Sequence, residues 1–105
     1  MNNLFKVNTL ATMDIQHKEG QSKGSFFIKE GEKVMAEITY SKAGDTKIII
    51  DHTEVSDELR GEHIGKTLVE YLIGYAREND LRVIPLCPYA KSVIERDESL
   101  QDVLV

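Results

Sequence analysis

Polar and apolar positions along the first half of the chain change places residue by residue. The stretches "GSFFIKE", "KVMAEITYS" and "DTKIIIDHTEV" are rich in β-branched and aromatic residues. The breaks between them, Gly31-Glu32 and Ala43 to Asp45, are hairpin turn signals. The pattern predicts three successive strands in an antiparallel meander, with "MDIQHKE" as a candidate earlier strand. After Val55 the period lengthens. Ile64, Leu68, Tyr71, Leu72, Tyr75 and Ala76 recur at three- and four-residue spacing, which predicts an amphipathic helix from about residue 62 to 79 lying against the sheet. "LRVIPLC" then reads as a short apolar strand. A strand–helix–strand passage of this length makes a right-handed crossover between parallel strands, so the sheet is expected to be mixed and mostly antiparallel.

Pro88 opens "PYAKSVIERD" at a favoured first helical position, with Tyr89, Val93 and Ile94 on one side, which predicts a short second helix. The last segment, "ESLQDVLV", suits a further helical turn or a tail strand. There is no internal repeat, low-complexity tract or Pro/Ser-rich linker. The first ten residues are expected to be frayed and residues 11–105 to form one α+β (α/β) domain.

Composition narrows the function. A chain of 105 residues, 41% hydrophobic and 30% charged, has the make-up of an ordinary globular domain. A formal net charge of −5 without any dense Lys/Arg cluster argues against a nucleic-acid partner. The apolar runs are too short to span a membrane, and the N-terminus lacks the layout of a signal peptide. The lone cysteine, Cys87, cannot form an internal disulfide, and no ligand set has metal-like spacing. The expected compartment is the reducing cytoplasm, with no metal.

The segment "LRGEHIGK" carries the clearest chemistry. Gly61 and Gly65 flank the predicted helix start, where backbone N–H groups lack partners and the helix dipole is positive, a setting that favours phosphate. Arg60, Lys66 and Thr67 would each add a charge or a donor. The plainer reading makes the glycines a turn and the two cations solvated surface. Neither GxxxxGK[ST] nor GxGxxG is present, which weighs against nucleoside triphosphates and nicotinamide cofactors.

"VSDELRGEHIGKTLVEYLIGYARENDLRVIP" resembles the acetyl-CoA-binding segment of the GNAT-type N-acetyltransferases, whose pattern is Arg/Gln-x-x-Gly-x-Gly/Ala between a strand and a helix. Arg60 and Gly65 match, and His63 stands where the family has its middle glycine. "IDHTEVSDELRG" together with "IPLCPYAKSVI" resembles the small single-domain branch called YjdJ-type, over roughly residues 20 to 100. The resemblance implies the acyl-CoA N-acyltransferase fold, with two central parallel strands that splay apart at their C-terminal ends to admit the pantetheine arm. It also implies acetyl-CoA as co-substrate. The CoA pyrophosphate would lie on Arg60, Gly61, Glu62 and His63 and on Ile64, Gly65, Lys66 and Thr67. Backbone N–H groups near Val55 would hold the thioester carbonyl. Tyr89 and Lys91 are expected to touch the CoA arm or its phosphates; the plainer alternative is one core ring and one surface amine.

Cys87 ends its predicted strand just before Pro88, at or near a helix N-cap. Such a position favours the thiolate that attacks a thioester, although a lone cysteine is also a common small buried hydrophobe. The crossover would bring Cys87 and His52 to one sheet edge. Strict alternation places Ile48, Ile50, His52 and Glu54 on one face and Ile49, Asp51, Thr53 and Val55 on the other. His52 as base would activate Cys87 or deprotonate an amine, unless it is only a hydrogen-bonded sheet histidine; Glu54 is the reserve base. Pro85 lacks an N–H and therefore suits a splayed pair or an edge strand. His17 is given no role.

The expected function is acetyl-CoA-dependent N-acetylation of an amine, either directly or through Cys87. The alternative is a non-catalytic CoA or acyl-CoA-binding protein. A thiol sensor centred on Cys87 is a third reading. Only "EGQSKG" or "EGEK" stands where larger relatives wall the acceptor site with helices, so that site is expected to be open or completed by a second subunit. A small polyamine, an amino acid and a protein lysine are all candidate acceptors, and monomer and homodimer both remain open.

Overall fold

In the computed structural model, residues 14–105 are described. The expectation of a frayed first ten residues lies outside them. The strands are β1 (Gln16–Glu19), β2 (Lys23–Glu30), β3 (Lys33–Ala43), β4 (Lys47–Val55) and β5 (Arg82–Pro85). A 3-10 turn, Asp57–Leu59, leads to helix α1 (Ile64–Glu78); helix α2 (Pro88–Glu95) follows β5, and a second 3-10 segment, Glu98–Val103, closes the chain. Gly31 and Gly44 adopt φ of +64° and +77° at the two tight turns of the meander, a region that favours glycine.

The strands form one sheet in the order β1-β2-β3-β4-β5. The first three pairings are antiparallel and β4–β5 is parallel, as the change of period predicts. Both helices contribute to a single core with the inward side chains of the sheet. Ile38, Tyr40, Ile48 and Ile50 meet Leu68, Leu72 and Ile73 of α1 and Ile94 of α2. Fully burying one such aliphatic side chain contributes about 1.5–3 kcal/mol, so this layer is the main source of stability.

Three sequence expectations change. The buried side of α1 is Ile64, Gly65, Leu68, Val69, Leu72, Ile73 and Ala76, whereas Tyr71 is 50% exposed. The helix contacts α2 and the C-terminal segment as well as the sheet, so its covered sector is turned away from Tyr71. On α2 the buried residues are Ala90 and Ile94, and Tyr89 stays 44% exposed with its ring against the start of α1 rather than in the core. The tail takes both of its alternatives: after the 3-10 segment, Leu104 bridges to Val83 in parallel, and the Val105 N–H donates to the Val83 carbonyl at 3.2 Å. Arg77 anchors this segment through a fork to Asp102 at 2.9 and 2.7 Å and through the Ser99 carbonyl. Among the described residues no helix is long and apolar enough to cross a membrane.

Candidate functional site

The site is organised by a bulge in β4. Tyr40 pairs with Ile50 and Thr39 with His52, so Asp51 is an extra residue in the strand. Each bulged residue reverses the side on which the following side chains point. Ile50 faces the helices, and beyond the bulge Thr53 and Val55 do too, paired with inward Ile38 and Ala36. His52 and Glu54 pair with Thr39 and Glu37 and face the side without helices. This corrects the alternation expected from the sequence, in which His52 and Glu54 shared a face with Ile48 and Ile50. The Asp51 carboxylate accepts from the Ser41 hydroxyl at 2.6 Å on that same helix-free side.

Beyond the bulge β4 and β5 part, at the edge of the sheet rather than at its centre. Ile50–Pro85 is the last β4–β5 pair, and β4 runs on to Val55 without a β5 partner. The Leu86 and Cys87 N–H groups both donate to the Ile50 carbonyl at 3.1 Å, which turns the chain out of the sheet into α2. Pro85 therefore satisfies both of its expectations: it sits in an edge strand, at the pair where the ladder ends. A cavity of about 500 Å³ lies beside this divergence, lined by Thr53 and Val55 of β4, by Arg60, Gly61, His63, Ile64 and Gly65 of the loop and helix start, and by Tyr89 of α2.

The loop is an open cradle. Ser56 caps the 3-10 turn by accepting from the Glu58 N–H at 3.3 Å, and Arg60 follows it, 2.7 Å from Asp57 in an exposed ion pair. Gly61 has φ +84° with open space on its α carbon, and Glu62 is half-buried beside it. His63 is the N-cap of α1 in the left-handed region, φ 59°, without a side-chain cap bond. That conformation explains why a glycine suits this place in the family pattern. The first intrahelical bond runs from the Thr67 N–H to the His63 carbonyl at 3.1 Å, and the Thr67 hydroxyl donates to the same oxygen at 3.0 Å. The N–H groups of Ile64, Gly65 and Lys66 precede it, so the helix gives them no acceptor. Lys66 is 3.9 Å from Glu70. Exposed pairs of this kind contribute about 0–1 kcal/mol, so Arg60 and Lys66 release readily to an anion.

Tyr89 covers the helix start. A β carbon on Gly65 would stand 2.7 Å from its hydroxyl oxygen. Partial burial, and then the neighbouring Cys87, push its phenol above the ordinary tyrosine value. A smaller cleft beside it is lined by His63 and Lys66 and by Ser92, Val93 and Arg96 of α2. Lys91 is exposed on α2. Arg96 and Ser92 carry no sequence signal of their own; only the turn of α2 against α1 brings them to the loop.

Cys87 is 6% exposed and is the N-cap of α2. Its sulfur lies 3.5 Å from Thr53 Oγ1 on the helix side, whereas His52 faces the other side of the sheet, so the bulge separates the expected Cys–His pair. Among the described residues no group of three or more His, Cys, Asp or Glu is placed to hold a metal ion.

The helix-free face holds a second cavity, of about 740 Å³, which reaches from β1 and β2 across Thr39 to His52 and Leu86 beside the divergence. His17 lies elsewhere, on the helix side. It stacks on Phe26 at 4.1 Å and shares a 2.8 Å hydrogen bond with the buried Tyr40 hydroxyl.

A family description, GCN5-related N-acetyltransferase, matches residues 25–103. A GCN5-like candidate N-acetyltransferase from Staphylococcus aureus, solved by NMR, is 41% identical, with 87% of this chain and 88% of that one covered and a TM-score of 0.68. Two further structures share the fold at low identity. They are a ribosomal-protein-alanine N-acetyltransferase from Brucella melitensis biovar Abortus 2308 (16% identity, TM-score 0.61, 73% and 62% covered) and the ribosomal-protein-S18-alanine N-acetyltransferase from Escherichia coli (15%, 0.60, 91% and 58%). The chain thus spans about three-fifths of these two larger proteins. A search of curated protein sequences finds no match.

Proposed function

The chain belongs to the GCN5-related N-acetyltransferase family, and from that premise we propose that it moves acetyl from acetyl-CoA directly to an amine at the β4–β5 divergence. The observation that carries the reading is the path of β4 past its last β5 pair, with the loop cavity on one side and His52 on the other. The pyrophosphate rests on the free N–H groups of Ile64, Gly65 and Lys66, with Arg60 and Lys66 as counter-charges. His63, Lys66 and Arg96 supply further donors beside it, and Tyr89 fixes the wall. Backbone N–H groups near Val55 hold the thioester carbonyl as it gains negative charge.

The amine nitrogen forms the new bond to the acetyl carbon, the carbon–sulfur bond breaks, and the CoA thiol leaves. His52 takes the ammonium proton, with Glu54 as the reserve base on the same face. The close match in length to the S. aureus protein supports placing the chain in the small single-domain branch.

A second reading keeps Cys87 as acyl carrier, favoured by its N-cap position against the divergence and its contact with Thr53. Intact mass after incubation with acetyl-CoA and no acceptor decides between them. The direct route leaves the mass unchanged. One hydroxylamine-labile acetyl, absent from Cys87→Ala, would establish the covalent route. Calorimetric binding of CoA without transfer to any amine would leave a CoA-binding protein.

A further inference from the structure

On the helix-free face the strand registers align Lys18, Ser25, Thr39 and His52 in one row across β1 to β4. All four line the larger cavity. With strands about 4.8 Å apart, Ser25 stands roughly 10 Å from His52 along that row. Ser25 is only 4% exposed, and its hydroxyl has no hydrogen-bond partner among the described residues. A buried hydroxyl left without a partner is costly, which marks it as a contact waiting for a ligand atom.

Charge changes sign along the row. At the β3–β4 end, Glu37 and Glu54 are directly opposite each other in register, and Asp51 lies one step away. Like charges facing across an antiparallel pair repel, and neither glutamate has an ion-pair partner among the described residues. A cation there relieves the repulsion. At the β1–β2 end the cavity is lined by Lys18 and Lys23, neither ion-paired among the described residues, and by Glu19, whose carboxylate is held by Lys42 at 2.7 Å; Lys18 lies over the Phe27 ring at 5.9 Å.

We infer that this groove is the acceptor site, and that it takes an amine carrying an anionic group at its far end: a free amino acid or a short peptide rather than a polyamine. The ammonium lies between Glu37 and Asp51, next to the proton-accepting His52, with Glu54 facing Glu37 from the adjoining cleft. The chain of the acceptor crosses Thr39 toward Ser25, whose hydroxyl donates or accepts near the far end, and the long Lys18 and Lys23 side chains reach in to the anion. A polyamine would set its second cation against those two lysines. The inference rests on the transferase reading for the identity of the reacting end, and the test separates the two.

The full chain, isotope-labelled and saturated with CoA, is titrated by NMR with ε-aminocaproate, hexylamine and hexamethylenediamine, which share one amine and differ at the far end. The expected order is ε-aminocaproate tightest, roughly tenfold or more tighter than the diamine, with the Ser25, Thr39 and His52 amides moving. The Lys18→Gln/Lys23→Gln double variant should lose that preference while still binding hexylamine. A diamine that binds as tightly as ε-aminocaproate overturns the inference, and so does the absence of any shift at those three amides. Failure of the transferase reading shows separately, as CoA that does not move the Gly65 and Lys66 amides.

Discussion

The phenol of Tyr89 rests on the α carbon of Gly65, so close that no β carbon fits between them. One contact thereby joins the start of α1, which carries the N–H groups proposed to hold the pyrophosphate, to the first turn of α2, which carries Cys87 at its cap. Gly65→Ala should force the ring aside and destabilise the fold by about 1–3 kcal/mol, as overpacking does. The same change in a Tyr89→Ala background should cost clearly less, a coupling of more than about 0.5 kcal/mol in urea denaturation. Equal costs in both backgrounds would mean that the ring does not set the requirement for glycine.

Arg60 is 74% exposed on its side chain and, among the described residues, is ion-paired only with Asp57. Removing it should leave the melting temperature nearly unchanged, because exposed pairs contribute little. CoA affinity should fall about tenfold, roughly 1.4 kcal/mol, for the loss of one charge-assisted phosphate contact. Calorimetry on Arg60→Ala measures both quantities on one sample; unchanged affinity would remove Arg60 from the cradle.

His52 and Cys87 lie on opposite sides of the sheet, so their substitutions should separate. His52→Gln is expected to lower kcat about 10²–10⁴-fold with little change in CoA affinity. Cys87→Ala should keep most of kcat. The reverse pattern would favour the covalent route.

Acid stability follows from groups outside the CoA loop. Burial first holds His17 below its ordinary value, with Lys42 adding to the shift and Glu19 opposing it. The unfolded chain therefore binds a proton there that the folded chain refuses, and stability falls as pH drops below about 6.5. Glu19, beside Lys42, and Asp102, beside Arg77, are held below ordinary carboxylate values. Their contributions are present above about pH 4.5 and are lost as pH falls through the folded values. The melting temperature should decline gently from pH 7 to 5 and steeply below 4. His17→Phe keeps the stacking on Phe26 and should flatten the first slope only.

Much of the fold was legible because period carries it: alternation marked β2 to β4, the three- and four-residue spacing marked α1, and Pro88 marked the start of α2. The glycine-flanked loop was legible for the same reason, since Gly61 and Gly65 are local signals. The orientation of the catalytic candidates was not. A bulge such as that at Asp51 is a mismatch between two strands, so nothing in β4 alone announces it, yet it decides which side His52 and Glu54 face. Ser25 was invisible for a related reason: its burial and its lone hydroxyl exist only once Lys18 and Thr39 flank it in register.

Strand order follows chain order from β1 to β5, and this gives the molecule a sequence of assembly. The first four strands can zip through adjacent turns, at low loop-closure cost. The β4–β5 seam has to wait for the whole of α1 to form, because Ile48 must meet Val83 across it. The proposed CoA cradle, lined by β4, the loop and α2, lies beside that seam. Occupying it would brace a junction that short turns alone do not close.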